Sequence, residues 1–576
     1  MGLLTTTSQR EAIVRVRSGT TRFGISAAAV LALGVSPMVA HAAPARGTFG
    51  QTATQTAPSA AAASAAQSPT ATYAAPHLPL GPDSLPETRT SRTLQPGVTW
   101  THIDRGEPDP ALFWTVEISI PSGATSPDPD APPSVLKDHE SAQQTADDLA
   151  AAGFTARVEE VTTPAMADVP AHTEGWRVRV GHFASQAAAN AERTRLRTAG
   201  FQGSAVYTGW DGDAADRGPW NVDVLTIDPK TFTGRLVSSV GPDIEQRETT
   251  SALAQFAGAT AGTNAGFFVL DPRAGAPGDP AGISVLGGRL VSEPTNDRPV
   301  LVFRDDAKGA AVERLAWTGE VRAGGTSLPL DGLNRVPTLI RNCGGIGDKP
   351  TNAPLHDVTC TDPDEIVEFT GDYAPDHTPS GDGLQVTLDR RGFVTKVANE
   401  RGAAVPDGGT VLQATGDLAP KLAAMAKVGE RLQVVSDLRG GHEEAVRPNG
   451  HTFMVNGGPL LVRDGRVHIT AQRDGMVHPD DPSWFYGWVT KRNPRTIAGV
   501  DPAGRLVLVT VDGRSTASLG LSITEAADVA KALGLRDAIN LDGGGSTTMV
   551  IGSQVVNHPS DAAGERPVGD ALLVLP

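Results

Sequence analysis

Short apolar runs separated by turn residues fill the chain from Trp220 to its end and limit the folds that it can adopt. Runs such as "VDVLTI", "RPVLVF", "RLVLVTV" and "DALLVL" have the length and β-branched content of strands. The chain has 64 glycines, 44 prolines and only 5% aromatic residues, which suits many turns between short strands. The pattern predicts an α+β fold with a β-rich, mixed-sheet domain over residues 211–576.

Few segments of this domain have helical spacing. Apolar residues recur at three-to-four spacing in "LAPKLAAMAK" (418–427) and in "SITEAADVAKALG" (522–534). The second segment begins with Ser522, has Glu525 at the capping-box position and ends at Gly534. We therefore predict two helices in this domain and strands elsewhere.

A weak internal repeat precedes the β-rich domain. Residues 141–161 and 185–207 each read as a helix, a glycine stop and a strand, and the runs 113–120 and 176–183 supply a strand before each helix. The segment "WRVRVGHFASQAAANAERTRLRTAGF" resembles a SPOR domain, a family whose small sheet binds peptidoglycan glycan strands. The resemblance implies a small βαββαβ domain over residues 125–210 with peptidoglycan as a partner. A structural insertion without a ligand is the alternative.

The boundary between the two units has two interpretations. Residues 94–124 have the pattern of the first strands of a domain, either the large domain or the SPOR-like unit. Residues 217–236 have the strand pattern of the large domain. We favour insertion of the small unit into the large domain over an arrangement in which it simply precedes it.

The N-terminus carries the features of an export signal. Four arginines precede an apolar stretch: Arg10, Arg15, Arg17 and Arg22. The stretch ends at a small-residue site around Ala42, so we predict a signal peptide over residues 1–42, with an uncleaved anchor as the alternative. Residues 43–93 are rich in Ala, Thr, Ser and Pro and are predicted to be a disordered linker. The protein is expected to be secreted or wall-associated, without a stable membrane span.

The net charge and the metal-binding motifs that are missing from the sequence argue against several kinds of ligand. A net charge of −16, with no basic run in the mature part, argues against binding to nucleic acid. Cys343 and Cys360 are the only cysteines, and in an oxidising compartment they most simply form a disulfide. No HExxH motif, EF-hand loop or zinc spacing is present, so we expect neither a metal nor a cofactor.

The stretch "AINLDGGGSTTMV" (538–550) is the strongest candidate site. Asp542 ends a short apolar run and precedes three glycines. Glycines allow a ligand to approach backbone N–H groups, and hydroxyls follow, so the turn suits a phosphate or sugar oxygen. The residues concerned are Gly543, Gly544, Gly545, Ser546 and Thr547. A P-loop is excluded because no lysine follows the glycines.

Other motifs accompany this turn in a characteristic order. They are "NAGFF" (264–268), "VNGGPLLVRDG" (455–465), "RTIAGVDPAGRLVLVTVDGR" (495–514) and "VVNHPSDAAGERPVGDALLV" (555–574). Together they resemble the phosphodiester glycosidase family over about 350 residues. The resemblance implies a catalytic domain that cleaves the glycosidic C–O bond next to a phosphate and releases free sugar and a phosphate monoester.

Three carboxylates are candidates for catalysis. Asp542 and Asp512 each end an apolar strand, and adjacent strand ends would bring them together to stabilise an oxocarbenium ion. Turn capping is the alternative role for both. Glu565 is an acid/base candidate or a residue that orients its neighbour Arg566.

The remaining candidates bind substrate. Arg495 and Arg566 have the guanidinium fork that matches two phosphate oxygens, with surface ion pairing as the alternative. Asn264 and Asn456 can bind sugar hydroxyls or serve as turn formers. Asp570 stands where the family pattern is expected to have an amide.

The sequence thus predicts a secreted hydrolase acting on a carbohydrate phosphodiester of the N-acetylglucosamine-1-phosphate type, on cell-wall glycopolymers. Two alternatives remain. One is an ordinary glycoside hydrolase acting on wall polysaccharide, and the other is a non-catalytic peptidoglycan- or glycan-binding protein.

Overall fold

The computed structural model describes residues 76–121, 131–212, 216–295, 297–345 and 347–576. The predicted signal peptide and residues 43–75 of the predicted linker lie outside these ranges. Within them, strands β1 to β34 are, in chain order, Glu87–Gln95, Val98–Arg105, Trp114–Ile118, Ala156–Thr163, His172–Phe183, Gly203–Tyr207, Trp220–Ile227, Arg235–Ser239, Glu248–Thr249, Ala261–Asn264, Ser284–Leu286, Arg289–Ser292, Pro299–Arg304, Ala311–Ala323, Thr326–Leu330, Gly332–Leu333, Ile340–Arg341, Thr359–Cys360, Ile366–Phe369, His377–Leu388, Val394–Ala403, Thr410–Ala414, Gln433–Gly440, Ala445–Val446, Thr452–Asn456, Leu460–Arg463, Arg466–Val467, Arg495–Val500, Leu506–Val511, Asp537–Asn540, Met549–Ile551, Gln554–Val555, Pro567–Val568 and Ala571–Leu575.

Helices α1 to α6 of the same ranges are His139–Ala151, Gln186–Thr198, Thr250–Ala257, Leu418–Met425, Pro482–Phe485 and Ile523–Ala532. A π-helical segment, Tyr486–Thr490, continues α5, and Gly544–Ser546 form a 3₁₀ turn. The strand-rich α+β class is therefore confirmed. None of the helices in the described part of the chain is long and apolar enough to cross a membrane.

An eight-stranded sheet in the order β1-β2-β7-β29-β28-β30-β26-β27 forms the centre of the large domain. Its strands bury both faces. On β29, Val507, Val509 and Val511 face one apolar cluster, and Leu506 and Leu508 face another. This explains why "RLVLVTV" is apolar throughout rather than alternating.

Other sheets and one helix cover the two faces. Helix α6 packs on the first face, and its predicted capping box is present between Ser522 and Glu525. A five-stranded sheet, β32-β31-β10-β34-β8, packs on the second through residues such as Ala261 and Leu572. A further sheet contains β12-β11-β25-β13-β14-β23-β24, and another contains β16-β19-β22-β20-β21. Among the described strands, β16 and β19 pair in parallel and the other pairs are antiparallel.

The SPOR-like unit is inserted into the chain of the large domain. Its sheet has the order β4-β5-β3-β6, whereas β1 and β2 belong to the central sheet, where β2 pairs with β7. Of the strands in residues 94–124, for which both assignments were left open, β2 therefore belongs to the central sheet and β3 to the small sheet.

Two further details differ from the predictions. Strand β1 and the fully buried Leu78 lie within the segment predicted as a linker, so the linker prediction is wrong for residues 76–93. Helix α3 was not predicted. It has eight residues, Thr249 caps it, and Gly258 ends it in a left-handed conformation. Such a short helix offers little periodicity to detect.

Candidate active site

A cavity of about 640 Å³ opens at the end of β30 and contains the glycine turn. Asp542, Gly543, Gly544, Gly545 and Ser546 line it. The backbone of Asp542 is held on both sides, since its N–H donates to Ala265 O at 3.0 Å and its carbonyl accepts from Asn264 Nδ2 at 2.7 Å. The fold thus fixes the position of this carboxyl at the cavity wall.

Asp542 has an unusual protonation equilibrium. Burial raises its pKa to about 7, and the charge of Asp357 adds to the rise, while Ser546 and Arg566 oppose it. A carboxyl that titrates near neutrality can give or take a proton during a reaction at that pH. Asp542 is therefore suited to acid/base chemistry.

Two arginines lie directly over the glycine turn. A Cβ at Gly544, which has a φ of +58°, would lie 3.2 Å from Arg514 Nη2. A Cβ at Gly545 would overlap Arg566 Nη2. The turn must therefore be glycine for the two guanidinium groups to approach its backbone, and these groups form a positively charged cradle for an anion.

The electrostatics of these arginines are consistent with an anion site. Arg514 donates to Asn493 Oδ1 at 2.9 and 3.1 Å, and burial together with the charge of Arg566 lowers its pKa to about 10. Arg566 forms an ion pair with Asp561 at 2.7 Å. The guanidinium groups remain protonated at neutral pH, so a bound dianion or diester would relieve their mutual repulsion.

A loop closed by the disulfide supplies a second carboxylate. The predicted bond between Cys343 and Cys360 is present, and the loop between them contains His356 and Asp357, which line the cavity. Asp357 accepts from Arg341 Nη2 at 3.1 Å and adopts a φ of +60°. Closing the loop reduces the entropy that ordering these residues would otherwise cost.

His356 is a neutral hydrogen-bond donor. Arg298 Nη1 donates to His356 Nδ1 at 2.8 Å, so the ring proton must sit on Nε2. Burial and the charge of Arg298 hold the pKa of His356 well below its usual value of 6.5. The cavity thus has a fixed N–H donor beside Asp357 that does not change charge between pH 6 and 8.

Replacement of His356 tests this role. We expect His356→Leu to lower the kcat of a reaction in this cavity about 100-fold, because a hydrogen-bond donor is lost. We also expect it to lower the melting temperature, because the buried charge of Arg298 loses its acceptor. His356→Gln retains both an acceptor and a donor, so it should lose less than tenfold in kcat. Steady-state kinetics with melting temperatures separate the effects, and equal kcat values for His356→Leu and the wild type would refute the assignment.

Comparisons with known proteins match two parts of the chain. The phosphodiester glycosidase family model matches residues 382–575, and the SPOR domain model matches residues 135–207. A crystal structure of a protein from Burkholderia pseudomallei, named as exported, is 33% identical with a TM-score of 0.78 and covers 88% of this chain and 100% of its own. The chain thus contains a phosphodiester glycosidase domain and a SPOR domain.

Mammalian members match over a shorter stretch. The mouse and human N-acetylglucosamine-1-phosphodiester α-N-acetylglucosaminidases are each 33% identical, over 121 and 122 residues. These matches cover 21% of this chain and 23% and 24% of the two enzymes. The present chain thus aligns with less than a quarter of the length of these curated relatives.

Two predicted carboxylates lie outside the cavity of the phosphodiester glycosidase domain. Strand β28 lies between β29 and β30, so Asp512 is not beside Asp542. Asp512 instead accepts from Asn557 Nδ2 at 3.1 Å and His558 N at 2.9 Å. Glu565 accepts from Ser251 N at 2.8 Å at the start of α3. The placement of both side chains indicates structural roles.

The other residues that were predicted to bind substrate either line the cavity or hold its wall in place. Asn264 accepts from Thr548 N at 3.0 Å besides supporting Asp542, and Asn456 accepts from Phe267 N at 2.9 Å. Thr547 is buried behind the turn. Arg495 lines the cavity but donates to the carbonyls of Leu521 and Trp488. Arg514, His356 and Asp357 were not singled out from the sequence.

Asp570 occupies the position where a family amide was expected. It accepts from Gly266 N at 2.7 Å, its other oxygen has no partner among the described residues, and burial raises its pKa to about 7. Below that pH the group is a neutral carboxylic acid with nearly the shape of an asparagine side chain. The departure from the family pattern is therefore conservative in the protonated state.

A substitution tests this interpretation. From pH 3.8 to 7 the unfolded chain ionises Asp570 and the native state keeps it protonated, so this group's contribution to stability falls as pH rises through that window. We expect Asp570→Asn to equal the wild type near pH 4 and to be more stable at pH 8 by about 1–4 kcal/mol. Denaturant unfolding at both pH values measures this, and a pH-independent difference would count against it.

Proposed function

We propose that this protein is a secreted glycosidase that hydrolyses the glycosidic C–O bond of a sugar-1-phosphodiester of the N-acetylglucosamine-1-phosphate type. The observation that carries the proposal is the placement of Asp542, with its pKa near 7, beside Arg514 and Arg566 in one cavity. An acid/base carboxyl next to an anion cradle matches the two halves of such a substrate, and the names of the mammalian relatives support the same chemistry.

The residues suggest a division of labour. Arg514 and Arg566 bind the phosphate oxygens, which stabilises the departing phosphate. Asp542 in its protonated form gives its proton to the bridging oxygen as the C–O bond breaks. The carboxylate of Asp357 stabilises the positive charge that develops on the anomeric carbon. Water then adds to that carbon, and the proton that it releases goes to the carboxylate of Asp542, which restores the acid.

His356 has a supporting place in this scheme. Its Nε2–H is held in one tautomer by Arg298 and can donate to a sugar hydroxyl beside Asp357. Because the imidazole stays neutral, it adds no positive charge near the oxocarbenium ion. The edge-to-face contact of Phe267 with His356, with ring centroids 4.2 Å apart, keeps the imidazole ring in place.

We further propose cell-wall glycopolymers as the natural substrate. The SPOR domain, which the matching model places at residues 135–207, supports an association with glycan. The disulfide and the exported name of the Burkholderia relative support an extracytoplasmic site of action.

Product analysis tests the reaction. The protein is incubated with methyl mannoside whose 6-phosphate is esterified to α-N-acetylglucosamine, and the products are identified by mass. Free N-acetylglucosamine with a phosphate monoester is expected. N-acetylglucosamine-1-phosphate would mean P–O cleavage and refute the proposed reaction. Turnover of an aryl glycoside without phosphate would indicate an ordinary glycoside hydrolase, and binding without turnover of any substrate would indicate a glycan-binding protein.

A further inference from the structure

The small SPOR sheet has two faces with different partners. Alternate residues such as Val116, Val178 and Val180 pack against α1 and α2 in one apolar cluster. The residues between them point to the opposite face, where Glu117 and Arg179 pair across β3 and β5. This opposite face is the one that helices leave open.

The phosphodiester glycosidase domain covers part of that open face. Tyr486 Oη donates to Glu117 Oε2 at 3.0 Å and accepts from Arg177 Nη1 at 2.8 Å. Lys491 Nζ lies 3.1 Å from Glu117 Oε1. Glu117, Arg177, Arg179 and Tyr486 are each at most 5% exposed. This part of the sheet face is therefore an internal interface and not a free binding surface.

The edge strand β6 lies beside this interface and reaches the cavity. Ser204 pairs with Glu117 and Val206 with Thr115, so both side chains lie on the same face as Glu117. Ser204 and Val206 line the same cavity as Asp542. One wall of the candidate active site is thus made by the SPOR unit.

A chain of contacts runs from the phosphate cradle to this wall. The guanidinium of Arg514 lies over the ring of Trp488, with its carbon 5.5 Å from the ring centroid. The neighbouring Gly487 contacts Pro132, and a Cβ at position 487 would lie only 2.5 Å from the Pro132 ring. Trp210, at the end of the SPOR unit, also lines the cavity. Flat aromatic rings with a polar edge suit the faces of sugar rings.

We propose that the SPOR wall, defined as Pro132, Ser204, Val206 and Trp210, binds the group esterified to the far side of the phosphate. The SPOR unit then acts as a specificity element of the active site and selects diesters whose phosphate carries a second sugar or a glycan chain. This inference rests on the proposed function, because it states which surface binds the group on the far side of the phosphate in that same diester.

The test compares two substrates that differ only beyond the phosphate. Both carry α-N-acetylglucosamine-1-phosphate, esterified in one to methanol and in the other to a β-1,4-linked N-acetylglucosamine tetrasaccharide. Ser204→Trp places bulk on the wall. Thr173→Trp places the same ring on an exposed position of β5 in the same sheet and is the control.

We expect Ser204→Trp to lower the ratio of kcat/KM for the tetrasaccharide diester to that for the methyl diester at least tenfold, through KM. Thr173→Trp should leave this ratio within twofold of the wild type. A ratio that Ser204→Trp leaves unchanged would overturn the inference. If Ser204→Trp does not fold, Ser204→Gln, which adds a shorter side chain at the same place, is measured in the same way.

Binding separates a failure of this inference from a failure of the proposed function. The product side, a tetrasaccharide phosphate monoester, is titrated by calorimetry into wild type and Ser204→Trp. Weaker binding to Ser204→Trp, in a protein that turns over neither diester, supports the wall and refutes the reaction. Equal binding to both proteins refutes the wall whatever the activity.

Discussion

Asp542→Asn is expected to lower kcat on a sugar-1-phosphodiester by about 10²–10⁴-fold. Asparagine keeps the size of the side chain but can neither donate nor accept a proton in the reaction. The backbone contacts of Asp542 to Ala265 and Asn264 do not involve the side chain, so the turn should keep its shape. The measurement is kcat at saturating substrate, with a melting curve to show that the variant is folded.

Asp512→Asn is the matched control. Asp512 also ends an apolar strand, but it lies outside the cavity and accepts from Asn557 and His558. Its replacement should alter stability more than kcat, with a loss of less than tenfold in kcat. A larger kcat loss for Asp512→Asn than for Asp542→Asn would reverse the assignment of the catalytic carboxylate.

The pH profile gives an independent check on the role of Asp542. If Asp542 acts as the acid, the active form is the protonated one, so kcat/KM should fall tenfold per pH unit above about 7. His356 stays neutral through this range and should not contribute to this limb. A profile that rises through pH 7 would show that Asp542 acts as a base instead.

The fold could be predicted from the sequence where local pattern and environment agree. The apolar runs of β7 and β29 identify strands because both of their faces are buried. The capping box of α6 was also readable, since Ser522 and Glu525 contact each other within one turn. The order of the strands in the sheet could not be predicted. Because β28 lies between β29 and β30, the prediction that Asp512 lies beside Asp542 was wrong.

The site could be predicted only in part, because its residues come from distant segments. Asp542 was found from the strand that precedes it and the glycines that follow it. His356 and Asp357 lie in "NAPLHDVTC", which has no periodicity, and their position depends on the disulfide and on Arg298, 58 residues away. Arg514 carries one local signal, since it follows a glycine in the "VDGR" turn and adopts a φ of +55°.

The interface of the SPOR unit could not be predicted from either unit alone. The alternation of charged and apolar residues in "WRVRV" of β5 does not indicate which residues cover the charged face. In the structure Arg177 and Arg179 are buried and contact Asp211 and Tyr486, which lies 307 residues after Arg179. A buried charge cluster of this kind needs every partner, so it joins the two units energetically.

Removal of one charge from this cluster is expected to have the largest effect on stability. Glu117 accepts from Arg179 at 2.7 Å and from Tyr486 at 3.0 Å and pairs with Lys491. Glu117→Gln leaves the buried Arg177 and Arg179 and the partly buried Lys491 with too little compensating charge, so we expect a loss of about 3–5 kcal/mol in the free energy of unfolding. Because the cluster spans the interface, both units should melt in one transition at a lower temperature.

The pH dependence of this loss distinguishes it from a packing defect. The charges of Lys491 and Arg179 hold the pKa of Glu117 well below its ordinary 4.5 despite the burial that opposes them. Its contribution to stability is therefore present above pH 4.5 and is lost as pH falls toward the native pKa. The free energies of unfolding of the wild type and of Glu117→Gln should therefore become equal in acid.

Glu192→Gln, which removes an exposed helix pair with Arg195, is the control and should change stability by less than about 0.5 kcal/mol. A Glu117→Gln variant as stable as this control, or one in which the SPOR unit melts separately with the rest unchanged, would show that the cluster does not join the two units.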